Sequence, residues 1–238
     1  MKLTNKIFLP GTDRQIEIFI KKIDVKDKSV LVIGAGSEEI AKRLKQENPS
    51  SLFLIMEEQG SLLVSRLYLK DEKEIQVRLM DFENTDFDSE QFDIIYAQAS
   101  ISSIKRNKII KEIKRILKPN GVLCAGEIVS RAKEVPGFVK DIWEHSGISP
   151  LNEMELGKYY TSKGFEIQNE EDLSYTLGDF YSTGSNLLKQ RIQDLSEKEK
   201  SYYKKLLNQI SHESNVYLKL GGDKHIGFRM QIATKVQV

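Results

Sequence analysis

Two glycines and two carboxylates are the residues of this chain best suited to bind and orient a ligand. Gly34 and Gly36 lie in Val30-Leu-Val-Ile-Gly34-Ala35-Gly36-Ser37, an apolar run ending in a tight turn. Neither carries a Cβ, so the backbone there can turn sharply and lie against a ligand. Ser37 is placed to cap a following helix, whose first N–H groups lack partners within the helix. Glu57 follows about 20 residues later, where a carboxylate can accept both hydroxyl protons of a ribose. Asp81 offers an acceptor for an exocyclic amino group, and its neighbour Phe82 a ring to stack on a purine. Ala97 is small enough to leave room for the base. In order, these residues point to an adenosine-containing ligand. Each also has a purely structural reading: a solvated strand end for Glu57, a turn cap for Asp81, a core ring for Phe82.

Composition narrows the chemistry. The chain has 238 residues, 39% hydrophobic and 30% charged, with a formal net charge of +1. That fits one soluble globular domain, residues 1–238, and the near-neutral balance does not imply a nucleic-acid partner. Lys and Glu alternate along the expected helices as a solvated face. No run reaches bilayer length and the first residues have no signal-peptide core, so a cytoplasmic protein without a membrane partner is expected. Cys124 is the only cysteine, which excludes an internal disulfide and a cysteine-based metal site. The histidines, His145, His212 and His225, have no i,i+4 pair, and no metal is expected. Oligomeric state is not legible.

The elements that position these residues follow from periodicity. Thr12-Asp-Arg-Gln15 has capping-box form ahead of a helix carrying Ile16, Phe19, Ile20 and Ile23. Strands are expected at 29–33, 51–56, 75–80, 91–96 and 122–129. The continuous apolar run 51–56 suits a strand buried on both faces of a parallel sheet. Helices are expected after the glycine turn (Ile40, Ala41, Leu44), at 61–69 and around Ile109–Leu117. Lys118-Pro-Asn-Gly121 reads as a turn. Further on come a loop and short helix over 131–147, a helix over 152–162 closed by Gly164, and a strand over 165–173. Tyr175 to Gly184 is aromatic, Ser196-Glu-Lys-Glu199 is a second capping box opening a helix with Tyr203, Leu206, Leu207 and Ile210, and a last strand spans 226–236. Alternating strands and helices give an α/β fold: a Rossmann-like doubly wound sheet, mostly parallel with an antiparallel last strand, helices on both faces. Ligands of such sheets sit beyond the carboxyl ends of the strands.

The ordered motifs Val-Leu-Val-Ile-Gly-Ala-Gly-Ser, Glu57, Met-Asp-Phe-Glu (80–83), Phe-Asp-Ile-Ile-Tyr-Ala-Gln-Ala (92–99) and Ile-Leu-Lys-Pro-Asn-Gly-Val-Leu (116–123) resemble those of class I S-adenosylmethionine-dependent methyltransferases. The resemblance covers about residues 10–175. It implies S-adenosyl-L-methionine as cofactor and methyl transfer to a small molecule by in-line displacement. Gly34, Ala35 and Gly36 would take the methionine end and Glu57 the ribose, with Glu58 beside the adenine. Asp81 and Phe82 would contact the adenine, and Ala97 would line the pocket. Glu127-Ile-Val-Ser-Arg131 and the region from Tyr160 to Tyr181 resemble small-molecule members related to the arsenite group, whose several cysteines are absent here. The segments 131–164 and 175–220 are expected to cover the substrate, with Glu127, Arg131, His145, Tyr175 and Tyr181 as candidate acceptor-site residues and no catalytic residue assigned.

Two positions depart from that pattern. Val32 stands where an acidic residue is usual, and Glu38 replaces the third glycine. They motivate an alternative, a non-catalytic nucleoside-binding or scaffold protein of the same fold. A nicotinamide-dependent oxidoreductase fits less well, because Glu39 occupies the third small position of that fingerprint.

Overall fold

The computed structural model describes residues 6–183, 208 and 210–236. The elements in order are α1 (Thr12–Lys22), β1 (Ser29–Ile33), α2 (Glu38–Gln46), β2 (Ser51–Met56), α3 (Gln59–Tyr68), β3 (Ile75–Leu79), β4 (Phe92–Gln98), α4 (Arg106–Ile116), β5 (Leu117–Ser130), α5 (Gly137–His145), β6 (Leu151–Asn152), α6 (Glu153–Ser162), β7 (Phe165–Asp172) and β8 (Ile226–Lys235). Residues 176–183 and 210–219 are also helical. The second capping box and Tyr203, Leu206 and Leu207 lie outside the described residues; Ile210 lies within them and is buried.

The strands form one sheet in the order β3-β2-β1-β4-β5-β8-β7, with β6 beside β5. Strands β1 to β5 pair in parallel, and β8 runs antiparallel to both β5 and β7. The doubly wound, mostly parallel sheet with an antiparallel last strand is therefore present. The chain reverses direction across the sheet between β1 and β4, and ligands of open α/β sheets sit at such a switch point.

Side chains alternate across a strand with period two, and this alternation divides the core into two layers. Val30, Val32, Leu52, Leu54, Ile94, Tyr96 and Cys124 face Ile16 and Phe19 of α1 and Ile40, Ala41 and Leu44 of α2. Leu31, Ile33, Phe53, Ile55, Ile95, Leu123 and Ala125 face Ile109, Ile110, Ile113 and Ile116 of α4 and Tyr160 of α6. The strands are apolar on both sides because both faces are covered.

Three local expectations change. Thr12 does not cap α1: Gly11, at φ 86°, is the N-cap and no side chain caps the helix. A bulky phenyl explains the choice, since a Cβ on Gly11 would lie 2.5 Å from Phe228. Lys118-Pro-Asn-Gly121 does not separate a helix from a strand. Leu117 already pairs with Phe92, and pairing resumes at Val122 with Ile94, so the four residues bulge out of β5. Strand β4 runs on to Gln98 rather than ending at Tyr96, which puts Ala97 inside the sheet. By contrast, Asn152 does cap α6, its side chain accepting from the Met154 N–H at 3.1 Å, and Gly164 follows that helix at φ 85° as a left-handed stop.

Candidate functional site

The carboxyl ends of β1, β2 and β3 lie side by side because the strands pair in register: Ile33 with Ile55, and Met56 with Leu79. The Gly34 N–H donates to the Ile55 carbonyl at 3.0 Å and the Met80 N–H to the Met56 carbonyl at 3.0 Å, so the ladder continues into the turns. Gly34 has φ 124° and Gly36 φ 80°, both in the region that side chains disfavour. A Cβ on Gly34 would meet the Ser100 Cβ at 2.8 Å, whereas one on Gly36 would meet Leu9 at 3.4 Å, an ordinary contact. Gly34 is thus required twice over, by conformation and by space. Gly34→Ala is expected to lower Tm by more than Gly36→Ala, with about 1–3 kcal/mol coming from backbone strain alone; thermal melts of the two variants check the order.

Ser37 is the N-cap of α2, yet its hydroxyl makes no capping bond. Its Oγ is buried and has no hydrogen-bond partner among the described residues. Buried hydroxyls are normally paired, so an unpaired one beside a glycine turn suits a polar ligand group at that place. The departures are also placed. Val32 is fully buried in the α1/α2 layer. Glu38 accepts from the Ser65 hydroxyl of α3 at 2.5 Å, and Glu39 from the Tyr68 hydroxyl at 2.7 Å. Their carboxylates tie α2 to α3.

At the next strand ends, the Glu57 side chain is 36% exposed and accepts from the Phe82 N–H at 3.3 Å. Burial, and then contact with Asp81, raise the Glu57 carboxyl above its ordinary value, against the opposing pull of the Phe82 N–H and Lys105. Asp81 is held below its ordinary value by contact with Glu57 and by Lys105. Of the two neighbouring carboxylates, Glu57 is therefore the one that takes up a proton first as pH falls. Phe82 is buried among Phe53, Phe87 and Phe92, with its ring in the core and its N–H toward the site. Glu58 is exposed at the start of α3. Ala97 is fully buried, and its carbonyl accepts from Gln15 Nε2 at 3.2 Å.

Sequence reasoning passed over three contributors. Lys105, at the start of α4, places its ammonium 3.9 Å from Glu57, 3.5 Å from Asp81 and 3.7 Å from Glu83. Gln98, at the end of β4, donates to the carbonyls of Pro10 at 2.8 Å and Thr12 at 3.0 Å, fastening the segment ahead of α1 beside the turn. Ser100 donates to the Ile33 carbonyl at 2.7 Å. A lysine in a Lys/Glu-rich stretch reads as surface; only the Ala-Gln-Ala-Ser sequence at a strand end hinted at Gln98 and Ser100.

The candidate acceptor residues do not assemble. Glu127 is fully buried and bound on every side: Arg106 Nε donates to it at 2.7 Å, the Tyr160 hydroxyl at 2.6 Å and Ser102 at 3.2 Å. It is a structural anchor between β5, α4 and α6. Tyr160 is held neutral, its pKa well above the usual value through burial and then through Glu127. His145 is exposed at the end of α5, its Nδ1 2.5 Å from the Asp141 carbonyl. Tyr181 is buried and donates to Glu213 at 3.4 Å. Arg131 and Tyr175 are exposed. Burial pushes the Cys124 thiol up, which keeps it un-ionised. Among the described residues no group of acidic, histidine and cysteine side chains could hold a metal ion, and no helix is long and apolar enough to cross a membrane. A groove along α4 carries Lys108, Lys111, Lys114 and Arg115 interleaved with Glu83, Glu90 and Glu112, a mixed rather than a basic surface.

Glycine turn, neighbouring strand-end carboxylates and sheet order together define an open, doubly wound α/β fold with a candidate ligand site at the ends of β1, β2 and β3. Residues 31–125 match the family model described as a methyltransferase domain. It is 27% identical over 184 residues to a sterol 24-C-methyltransferase of Debaryomyces hansenii, a match covering 72% of this chain and 48% of that protein. The chain thus spans about half the length of the curated relative it matches. Among solved structures it is similar to the [4+2]-cyclase SpnF, with TM-score 0.74, 19% identity, and 95% and 81% of the two chains covered. It is similar to a sarcosine dimethylglycine methyltransferase from Galdieria sulphuraria, with TM-score 0.70, 15% identity, and 92% and 83% covered. A third is the Haemonchus contortus phosphoethanolamine N-methyltransferase 2 in complex with S-adenosyl-L-methionine, with TM-score 0.74, 17% identity, and 96% and 54% covered. At these identities the structures speak for the fold, and they include both methyltransferases and a cyclase.

Proposed function

We propose that this chain binds S-adenosylmethionine at the ends of β1, β2 and β3 and transfers its methyl group to a small-molecule acceptor. The observation that carries this reading is the conjunction, on adjacent in-register strands, of a positive-φ glycine turn with an unpaired buried hydroxyl and a partly exposed carboxylate at the next strand end. In this reading Gly34, Ala35 and Gly36 hold the methionine end through backbone groups, with Ser37 Oγ as an additional donor. Glu57 accepts the ribose hydroxyls, Asp81 accepts from the adenine amino group, and Glu58 borders the base. Phe82 contributes its N–H to the orientation of Glu57, and Ala97 the floor of the pocket.

The cofactor supplies an activated methyl group on a sulfonium. The protein's task is to hold donor and acceptor in line, which needs position more than acid–base groups. In this reading the described residues that follow β4, β5 and β7 border the acceptor, and they present Ile104, Phe138 and Tyr175 as exposed side chains with apolar surface. Such a rim suits an acceptor with substantial apolar surface.

Titration calorimetry with S-adenosylhomocysteine tests the reading. Binding with a dissociation constant in the micromolar range is expected, on the order of −8 kcal/mol; no heat up to millimolar ligand overturns it. The second reading, a nucleoside-binding member that does not transfer methyl groups, is favoured by one feature. Neither Val32 in the core nor Glu38 on Ser65 offers a carboxylate to the cofactor's amino group. It requires 5′-methylthioadenosine, which lacks the amino-acid end, to bind as tightly as S-adenosylhomocysteine. The methyltransferase reading requires it to bind at least about tenfold more weakly, or about 1.4 kcal/mol.

A further inference from the structure

Lys105 has no part in the reading above, yet its ammonium is the cation nearest the ribose carboxylate. Strand β4 is separated from β2 by β1 in the sheet. The loop after β4 nevertheless brings Lys105 within reach of Glu57 at the end of β2 and of Asp81 and Glu83 beyond β3. Its backbone is fixed there. The Lys105 N–H donates to Ser103 Oγ at 3.2 Å, and its carbonyl accepts from Lys108 and Ile109 as the first turn of α4 forms. The positive end of α4 therefore lies behind the ammonium. Lys108 is the other cation of this group, 3.6 Å from Glu83.

Three carboxylates gathered at a partly buried strand edge repel one another. Without a cation, the least costly relief is a proton shared between two of them. A protonated Glu57 turned toward Asp81 has lost one of the lone pairs that two ribose hydroxyls need, because a carboxylic acid is itself a donor. Building on the nucleoside-site reading, we propose that Lys105 is a positioning residue: its ammonium keeps Glu57 ionised and separate from Asp81, so that Glu57 can accept both ribose hydroxyls. Lys105 then acts through Glu57, and no contact between it and the ligand is needed.

The sign is definite. Glu57 binds as the anion, so affinity is present above its pKa and lost as pH falls through it. Lys105 lowers that pKa, so removing the charge moves the acid loss of affinity to higher pH. The test is a carbon-13 carboxyl NMR titration of the free protein, paired with calorimetry using S-adenosylhomocysteine. Lys105→Met is expected to raise the Glu57 midpoint by about half a pH unit or more, and Lys105→Arg to restore it. In calorimetry, Lys105→Met is expected to bind within about twofold of the unaltered protein near pH 8.5, where Glu57 is ionised in both, and roughly threefold more weakly near pH 5. An unchanged Glu57 midpoint overturns the proposal whatever the ligand does. Equal weakening at both pH values overturns it too, since that is the mark of a lost contact or a disturbed fold. A raised midpoint with no ligand binding to either protein at any pH overturns the nucleoside-site reading instead, and with it the purpose assigned to Lys105.

Discussion

Glu57→Ala is expected to weaken S-adenosylhomocysteine binding on the order of 100-fold, about 2.7 kcal/mol, while leaving Tm nearly unchanged. Hydrogen bonds to a charged acceptor contribute about 1.5–3 kcal/mol each, and a ribose offers two of them. Part of this is regained because water can reach a side chain that is 36% exposed. The stability effect is small for the same reason, and because losing one of three crowded carboxylates offsets losing the Phe82 N–H bond. Calorimetry and a thermal melt on one preparation check both halves. Unchanged affinity would mean that the carboxylate is a solvated strand end. A fall of many degrees in Tm would mean that its role is structural.

Glu127→Ala is expected to do the reverse: to cost about 3–5 kcal/mol of stability without a direct effect on ligand affinity. It leaves Arg106, itself buried, without its carboxylate, and strips partners from the Tyr160 and Ser102 hydroxyls. For a chain of this length each kcal/mol moves Tm by roughly 2–4 °C, so a fall of about 6 °C or more is expected. The double variant Glu127→Leu with Arg106→Met removes both charges together, and is expected to be more stable than Glu127→Ala alone. Thermal melts of the two give that order. Calorimetry at a temperature where Glu127→Ala is still folded separates an anchor from a ligand-binding residue. Equal stability of Glu127→Ala and the unaltered protein would show that the charge network does not hold β5, α4 and α6 together.

The two glutamates show why part of the site was legible in the chain and part was not. Glu57 announces itself by its distance from the glycine turn and by ending a continuous apolar strand. Both are local facts, and a parallel sheet carries such an end to the ligand edge. Glu127 also ends an apolar run, four residues before a loop expected to cover substrate, so it reads the same way. Its surroundings are set by Arg106, 21 residues earlier, and Tyr160, 33 residues later. No spacing rule links those positions. Lys105 was missed for a related reason: its neighbours in the chain mark a solvated helix, and its three carboxylates come from two other strand ends. Thr12 failed as a cap because Phe228, from the far end of the chain, packs against Gly11.

The sequence by itself determined the strands, the order in which they meet their helices, the glycine turn and the acidic strand ends behind it. Those follow from side-chain periodicity and from the conformations open to glycine, which act over a few residues. Tertiary structure alone decided which polar groups stay open at the strand ends and which face one another. Glu38 turns to Ser65, Glu127 to Arg106, the Phe82 ring to the core, and the Lys105 ammonium to the carboxylates of the site. A charged side chain takes the partner that best offsets its loss of water, and that partner is supplied by the packing of distant segments rather than by neighbours in the chain.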